Sequence, residues 1–245
     1  MDEGNLDAVM EQFSGGSFGF SGTTLDQLKA TKYTLAVICV DYSSSLTGFG
    51  GELTLMLQNI IKALKDDPNA NNMLVRVILF NHDLQELHGF KLLKHIDENQ
   101  DYPIIRPTGA TALIDVTYSG LESLFHYADT LDQNEYDTNG IIAVVTDGDD
   151  TASGMSMGEI PKLLDRELKK EKMESINRFL IGMNTQVCGS YLTMFQQDAQ
   201  FTQYIDMGDA SPDNIKKICL GISSSISSQS QALGTGQASA APTTF

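Results

Sequence analysis

The sequence predicts an α/β domain built on a mainly parallel sheet with helices on both faces. Three observations predict it. Near-continuous apolar runs, such as residues 33–40 and 141–145, read as strands buried on both sides. The segments between such runs place their apolar residues at helical spacing. The two signals alternate along the chain with no internal repeat, as the βα units of a parallel sheet do.

Residues 33–40 are the first strand. Leu53, Leu57, Ile60, Ile61 and Leu64 follow at helical spacing, and Pro68 closes that helix. Residues 73–80 read as a second strand, and 84–88 as a short edge strand turning back from it. A helix over 111–127 carries Leu113, Val116, Leu121 and Leu124. Residues 141–145 form the next buried strand. A charged amphipathic helix over 160–173 carries Leu163, Leu164 and Leu168. The pattern ends with a strand at 176–181, a short helix at 191–199, a strand at 204–207 and a helix at 213–222. Residues 1–32 are rich in Gly, Ser and Phe and read as a flexible arm whose aromatics dock on the domain or on a partner. Residues 223–245, rich in Ser, Gln, Gly, Ala and Thr, read as a disordered tail. The folded domain is thus expected over 33–222.

The chain of 245 residues is long enough to bury a sizeable core, and its 41% hydrophobic content is ordinary for a globular protein. Its formal net charge is −16. That surface repels phosphate backbones and anionic membranes, which argues against nucleic-acid and membrane partners, and it favours cations and basic groups. Cys39, Cys188 and Cys219 form no C-x-x-C pair and are odd in number, which suits a reducing compartment. The N-terminus has no basic segment followed by an apolar one, and no stretch approaches the ~18 apolar residues of a membrane span. The expectation is a cytoplasmic protein.

In parallel sheets ligands bind beyond the carboxyl ends of the strands, so the segments just after the strands carry the functional reading. Asp41-Tyr42-Ser43-Ser44-Ser45 follows the first strand. Gly109-Ala110-Thr111 opens the second long helix, and Thr146-Asp147-Gly148-Asp149-Asp150 follows the central strand. Each segment offers hard oxygen donors. Mg²⁺ or Mn²⁺ accepts such donors in octahedral geometry, whereas Zn²⁺ would require His or Cys. Spacing alone does not aim Ser43 and Ser45 at one point.

An Asp-x-Ser-x-Ser after the first strand, a Gly-x-Thr, then a Thr-Asp-Gly after a buried strand resembles the von Willebrand factor A domain over residues 33–222. That family's metal-ion-dependent adhesion site uses these three segments in this order. The resemblance implies a doubly wound sheet of six strands in the order 3-2-1-4-5-6 with one antiparallel edge strand. It implies Ser43, Ser45 and Thr111 nearest a divalent cation, Mg²⁺ foremost with Mn²⁺ or Ca²⁺ as alternatives, and Asp41 and Asp147 binding directly or through water. It further implies an open coordination position for an Asp or Glu of a partner protein, with no substrate turnover. In layout and in its Ser/Gln/Gly tail, the chain also resembles small stand-alone bacterial members of tellurite-resistance and stress-response gene neighbourhoods.

Other readings are weaker. Gly154-Met155-Ser156-Met157-Gly158 and Gly15-Gly16-Ser17-Phe18-Gly19 fit G-x-S-x-G, but neither serine directly follows a strand, as a nucleophile elbow requires. Asp41 as a phosphoryl acceptor lacks an acid two residues on, where Ser43 stands. No G-x-G-x-x-G follows the first strand. A metal-dependent hydrolase would need a base beside metal-bound water, for which Asp149 is the candidate. Asp149 and Asp150 read as solvated acids, with a second cation site as the sharper alternative. A scaffold subunit docking through both terminal segments is the third class.

Overall fold

The computed structural model describes residues 10–13, 17–209 and 211–235. In chain order its first half holds β1 (Met10–Phe13), β2 (Phe20–Thr23), β3 (Lys32–Asp41), α1 (Gly50–Lys65), β4 (Met73–Phe80), β5 (Leu84–Leu92) and α2 (Leu113–Asp132). The second half holds β6 (Asp137–Thr146), α3 (Glu159–Glu167), β7 (Ile176–Gly182), α4 (Gly189–Asp198), β8 (Gln203–Asp206) and α5 (Pro212–Thr235).

The strands form a single mixed sheet in the order β1-β2-β5-β4-β3-β6-β7-β8. Its central pairings are parallel: β3 with β4 and β6, β6 with β7, and β7 with β8. β3 shows why these segments are strands. Leu35, Val37 and Cys39 point to one face and Ala36, Ile38 and Val40 to the other, and all six are fully buried. The first face packs against α2, α3 and α4 through residues such as Leu121, Leu124, Leu163 and Phe195. The second packs against α1 and α5 through Leu57, Ile60, Ile61, Ile218, Ile222 and Ile226.

The expected six-stranded order is corrected to eight strands, and the antiparallel strand is not an edge. β5 pairs antiparallel with β4, but its other side receives β2 through the parallel pair Gly22↔Phe90, and β1 pairs antiparallel with β2. The described part of the Gly/Ser/Phe-rich stretch therefore belongs to the sheet. Its aromatics account for this. Phe20 is 2% exposed, stacks on Phe13 with centroids 5.0 Å apart, and meets Phe90 and Tyr127 edge-on. Gly89 permits the approach, because a β-carbon there would stand 1.8 Å from the Ser21 carbonyl oxygen. A buried clamp adds to it. Arg76 donates from Nε to Glu86 at 2.7 Å and from Nη1 to Ser123 at 2.9 Å. Glu86 in turn accepts from the Ser21 hydroxyl at 2.6 Å and from its amide at 3.0 Å.

Two helix ends also differ from expectation. α3 stops at Glu167, and the chain turns out through Glu171, whose φ of 52° is left-handed. α5 runs to Thr235, past the boundary expected at 222. Its Ser-rich second half is anchored by buried Ile226 and by Gln229, which meets Asn139 on β6 and Ser175.

Candidate metal centre

β3 and β6 are neighbours in register up to Val40↔Val145, so the residues that follow, Asp41 and Thr146–Asp147, emerge side by side at the carboxyl end of the sheet. All five residues singled out in the sequence reach this end. Asp41 is fully buried and both its oxygens are engaged. Oδ1 accepts from the Ser43 amide at 2.7 Å, and Oδ2 accepts from the Thr146 hydroxyl at 2.6 Å. The Ser43 and Ser45 hydroxyls lie 2.9 Å apart, and Ser45 donates to Asp147 Oδ1 at 2.7 Å. Ser43, itself in extended backbone, directly precedes a short helical turn over 44–46 that carries Ser45, and the two hydroxyls converge across that junction.

Thr111 comes from the opposite side. The loop before α2 is tied to the β3 end by Thr108 N–H to the Tyr42 carbonyl and Ser44 N–H to the Gly109 carbonyl. Gly109, at φ 84°, makes the turn that a side chain would block, since a β-carbon would stand 2.3 Å from His82 Nδ1. Thr111 Oγ1 then lies 3.7 Å from where a β-carbon on Gly148 would stand. Its backbone carbonyl receives Thr151 N–H and Ala152 N–H, which closes the 147–152 loop against it.

Burial pushes the Asp41 carboxyl up to about 6, against the Thr146 and Ser43 hydrogen bonds that lower it, and nearby Asp147 adds to the rise. Burial also raises Asp147, with Ser45 opposing. Neither carboxylate forms an ion pair with a described residue. Two buried acids without a cation are an electrostatic deficit that a dication would relieve. The donor set fits a hard cation: two carboxylates and three hydroxyls, of which the Thr111 hydroxyl makes no hydrogen bond to a described residue. Among the described residues, no group of three or more His, Cys, Asp or Glu side chains is arranged to hold a metal, so a cation here depends on the hydroxyls.

Several supporting residues were not singled out in the sequence. Thr146 orients Asp41. The Cys188 thiol donates to the Asp147 carbonyl at 2.7 Å. Asn81 donates to the Thr108 carbonyl at 2.7 Å, and its own carbonyl accepts from the Ala112 amide. Asn81 directly follows β4, so a search after every strand would have found it. Asp150, expected as a solvated acid, instead accepts from the Ile114 amide at the start of α2 at 3.1 Å, whereas Asp149 is exposed as expected. Ser156 sits in a loop well past β6, held near α2 by Gly154 and Met155 amides that donate to Asp115.

No protein-family profile matches the chain, and no curated protein sequence does. Solved structures do. The PilB minor pilin from Streptococcus sanguinis is 15% identical, with a TM-score of 0.59 over 86% of this chain and 64% of that one. The pilus adhesin SpaC from Lactobacillus rhamnosus GG is 14% identical, with a TM-score of 0.55 over 86% of this chain and 32% of that one. The ArnB paralog VWA2 from Sulfolobus acidocaldarius aligns at 13% identity and a TM-score of 0.49 over 84% of this chain and 48% of that one. The chain spans less than two thirds of the length of each of these proteins. The likeness to the pilin and the pilus adhesin shows a shared α/β fold.

Proposed function

We propose that this chain is a metal-dependent protein-interaction module of the von Willebrand factor A type. Ser43, Ser45 and Thr111 hold a divalent cation, Mg²⁺ foremost, while Asp41 and Asp147 bind it directly or through water. The observation that carries this reading is the hydrogen-bonded chain Asp41–Ser43–Ser45–Asp147 at the carboxyl ends of two adjacent strands, with the Gly109–Thr111 loop bonded to the Ser44 amide beside it. When bound, the ion supplies a positive centre with a coordination position for a partner's Asp or Glu. The protein's own groups position that ion, and the reading is of grip without turnover. The three cysteines, all unpaired and buried, support placing the module in a reducing compartment, the cytoplasm. The resemblance in layout supports a partner within a bacterial stress-response or defence assembly.

Calorimetric titration with Mg²⁺ alone tests the site. Wild-type protein is expected to bind, and Asp41→Ala and Thr111→Ala are expected to lose binding while far-UV circular dichroism stays unchanged. Absence of heat with Mg²⁺, Mn²⁺ and Ca²⁺, or full binding by both variants, would refute the reading.

A further inference from the structure

Helices α1 and α5 lie side by side on one face of the sheet. Near their first turns the Cys219 thiol donates to the Met56 carbonyl at 3.5 Å, and further along α5 Gln229 bonds Asn139 near the start of β6. The two helices therefore run in the same direction, from the carboxyl end of the sheet toward the opposite end. Between them, on the outside, lies an open groove of about 540 Å³. It is lined by Glu52, Leu55, Asn59 and Ala63 of α1 and by Lys216 and Leu220 of α5.

The groove pairs an acid with a base and a leucine with a leucine. Glu52 and Leu55 are one turn apart on α1, as Lys216 and Leu220 are on α5. Because Cys219 stands level with Met56, Lys216 is level with the turn carrying Glu52, and Leu220 with the turn carrying Leu55. Leu55 is 53% exposed and Leu220 56%. One such leucine is ordinary. Two flanking one groove, with neutral Asn59 and Ala63 beyond them, are apolar surface of the kind found at the centre of an interface. Neither Glu52 nor Lys216 forms an ion pair with a described residue. The chain as a whole carries −16 and repels its own copies, but this groove balances one acid against one base.

That arrangement is complementary to itself. A two-fold axis laid along the groove keeps every level in place and exchanges the two helices. Helix α1 of one copy then meets α5 of the other. Glu52 faces Lys216 of the second copy, Leu55 faces Leu220 of the second copy, and each contact occurs twice. We propose that the α1–α5 groove is an isologous dimer interface whose occupant is the same groove of a second copy of this chain. Since the axis follows the helices, the carboxyl ends of both sheets point the same way in the dimer.

Sedimentation equilibrium of the full chain over a rising concentration series tests this. The wild type is expected to pass from the mass of one chain to that of two. Leu55→Lys/Leu220→Lys is expected to stay at the mass of one chain with unchanged far-UV circular dichroism. Glu52→Lys alone and Lys216→Glu alone each set like charges against one another twice, and each is expected to dimerise on the order of tenfold more weakly. Mixed in equal amounts, these two variants regain both opposite-charge contacts, so the mixture is expected to dimerise as the wild type does. A wild type that remains at the mass of one chain overturns the proposal in favour of another occupant. A dimer that survives the two leucine replacements, or a mixture no tighter than its separate components, also overturns it, because the contact then lies elsewhere or follows another axis.

Discussion

Replacing Thr146 with valine removes one oxygen and almost no volume from the candidate site. The lost hydroxyl donates to Asp41 Oδ2 at 2.6 Å inside a fully buried environment, and it also accepts from the Gly148 amide at 3.2 Å. A hydrogen bond to a charged group is worth ~1.5–3 kcal/mol. At neutral pH, where a carboxyl raised to about 6 is ionised, metal-free Thr146→Val protein is expected to lose stability of about that size. Cation affinity falls as well, because Asp41 loses its orientation and its charge becomes harder to hold. Removing such an outer partner typically costs about 10–100-fold in metal affinity. Thr146→Ser keeps the hydroxyl and is expected to restore both quantities. Urea unfolding without metal and calorimetry with Mg²⁺ read them separately. A valine variant matching wild type in both would show that this bond neither positions nor charges Asp41.

Phe20→Ala should cost ~3–5 kcal/mol in urea unfolding, as for a large buried aromatic, whereas a loosely attached N-terminal segment would lose almost nothing. His88 is half-buried and bonds the Gly89 carbonyl and the Tyr102 hydroxyl, and desolvation holds its pKa below the ordinary 6.5. The fold therefore favours neutral His88. Its contribution is present above that ordinary value and is lost as pH falls through it, with a slope of at most ~1.4 kcal/mol per pH unit. His88→Gln should flatten this slope, and an unaltered pH–stability curve would contradict the assignment. Ser225 Oγ, on the buried face of α5, has no hydrogen-bond partner among the described residues, while Gln229 one turn on is bonded to Asn139 and Ser175. Ser225→Ala should thus be neutral or stabilising and Gln229→Ala destabilising by ~1–3 kcal/mol. Equal losses in urea midpoints would refute the distinction.

The inner strands were legible because sheet residues covered on both faces must be apolar on both, and β3, β4, β6 and β7 are. The oxygen-bearing segments were legible because they follow those strands. β1 and β2 were not, since glycine and serine dominate their surroundings and their stability comes from partners far along the chain, Phe90, Tyr127 and Glu86. The second half of α5 was hidden by its serines. Ser223 returns its hydroxyl to the Cys219 carbonyl at 2.6 Å and so behaves as a small core residue. Cys188 acquires its role only when the loop after β7 is set beside Asp147, which no local pattern records, whereas Thr146 and Asn81 stand at strand ends where a search of the sequence reaches them.

The strand pair at the N-terminus has a practical meaning for anyone shortening this protein. A fragment begun at residue 33 would strip the cover from the outer backbone of β5 and uncover Phe90 and Tyr127 together. It would offer a raw, sticky strand to any neighbour. Such a fragment would gather into aggregates and mask the behaviour of the candidate cation site at the other end of β3.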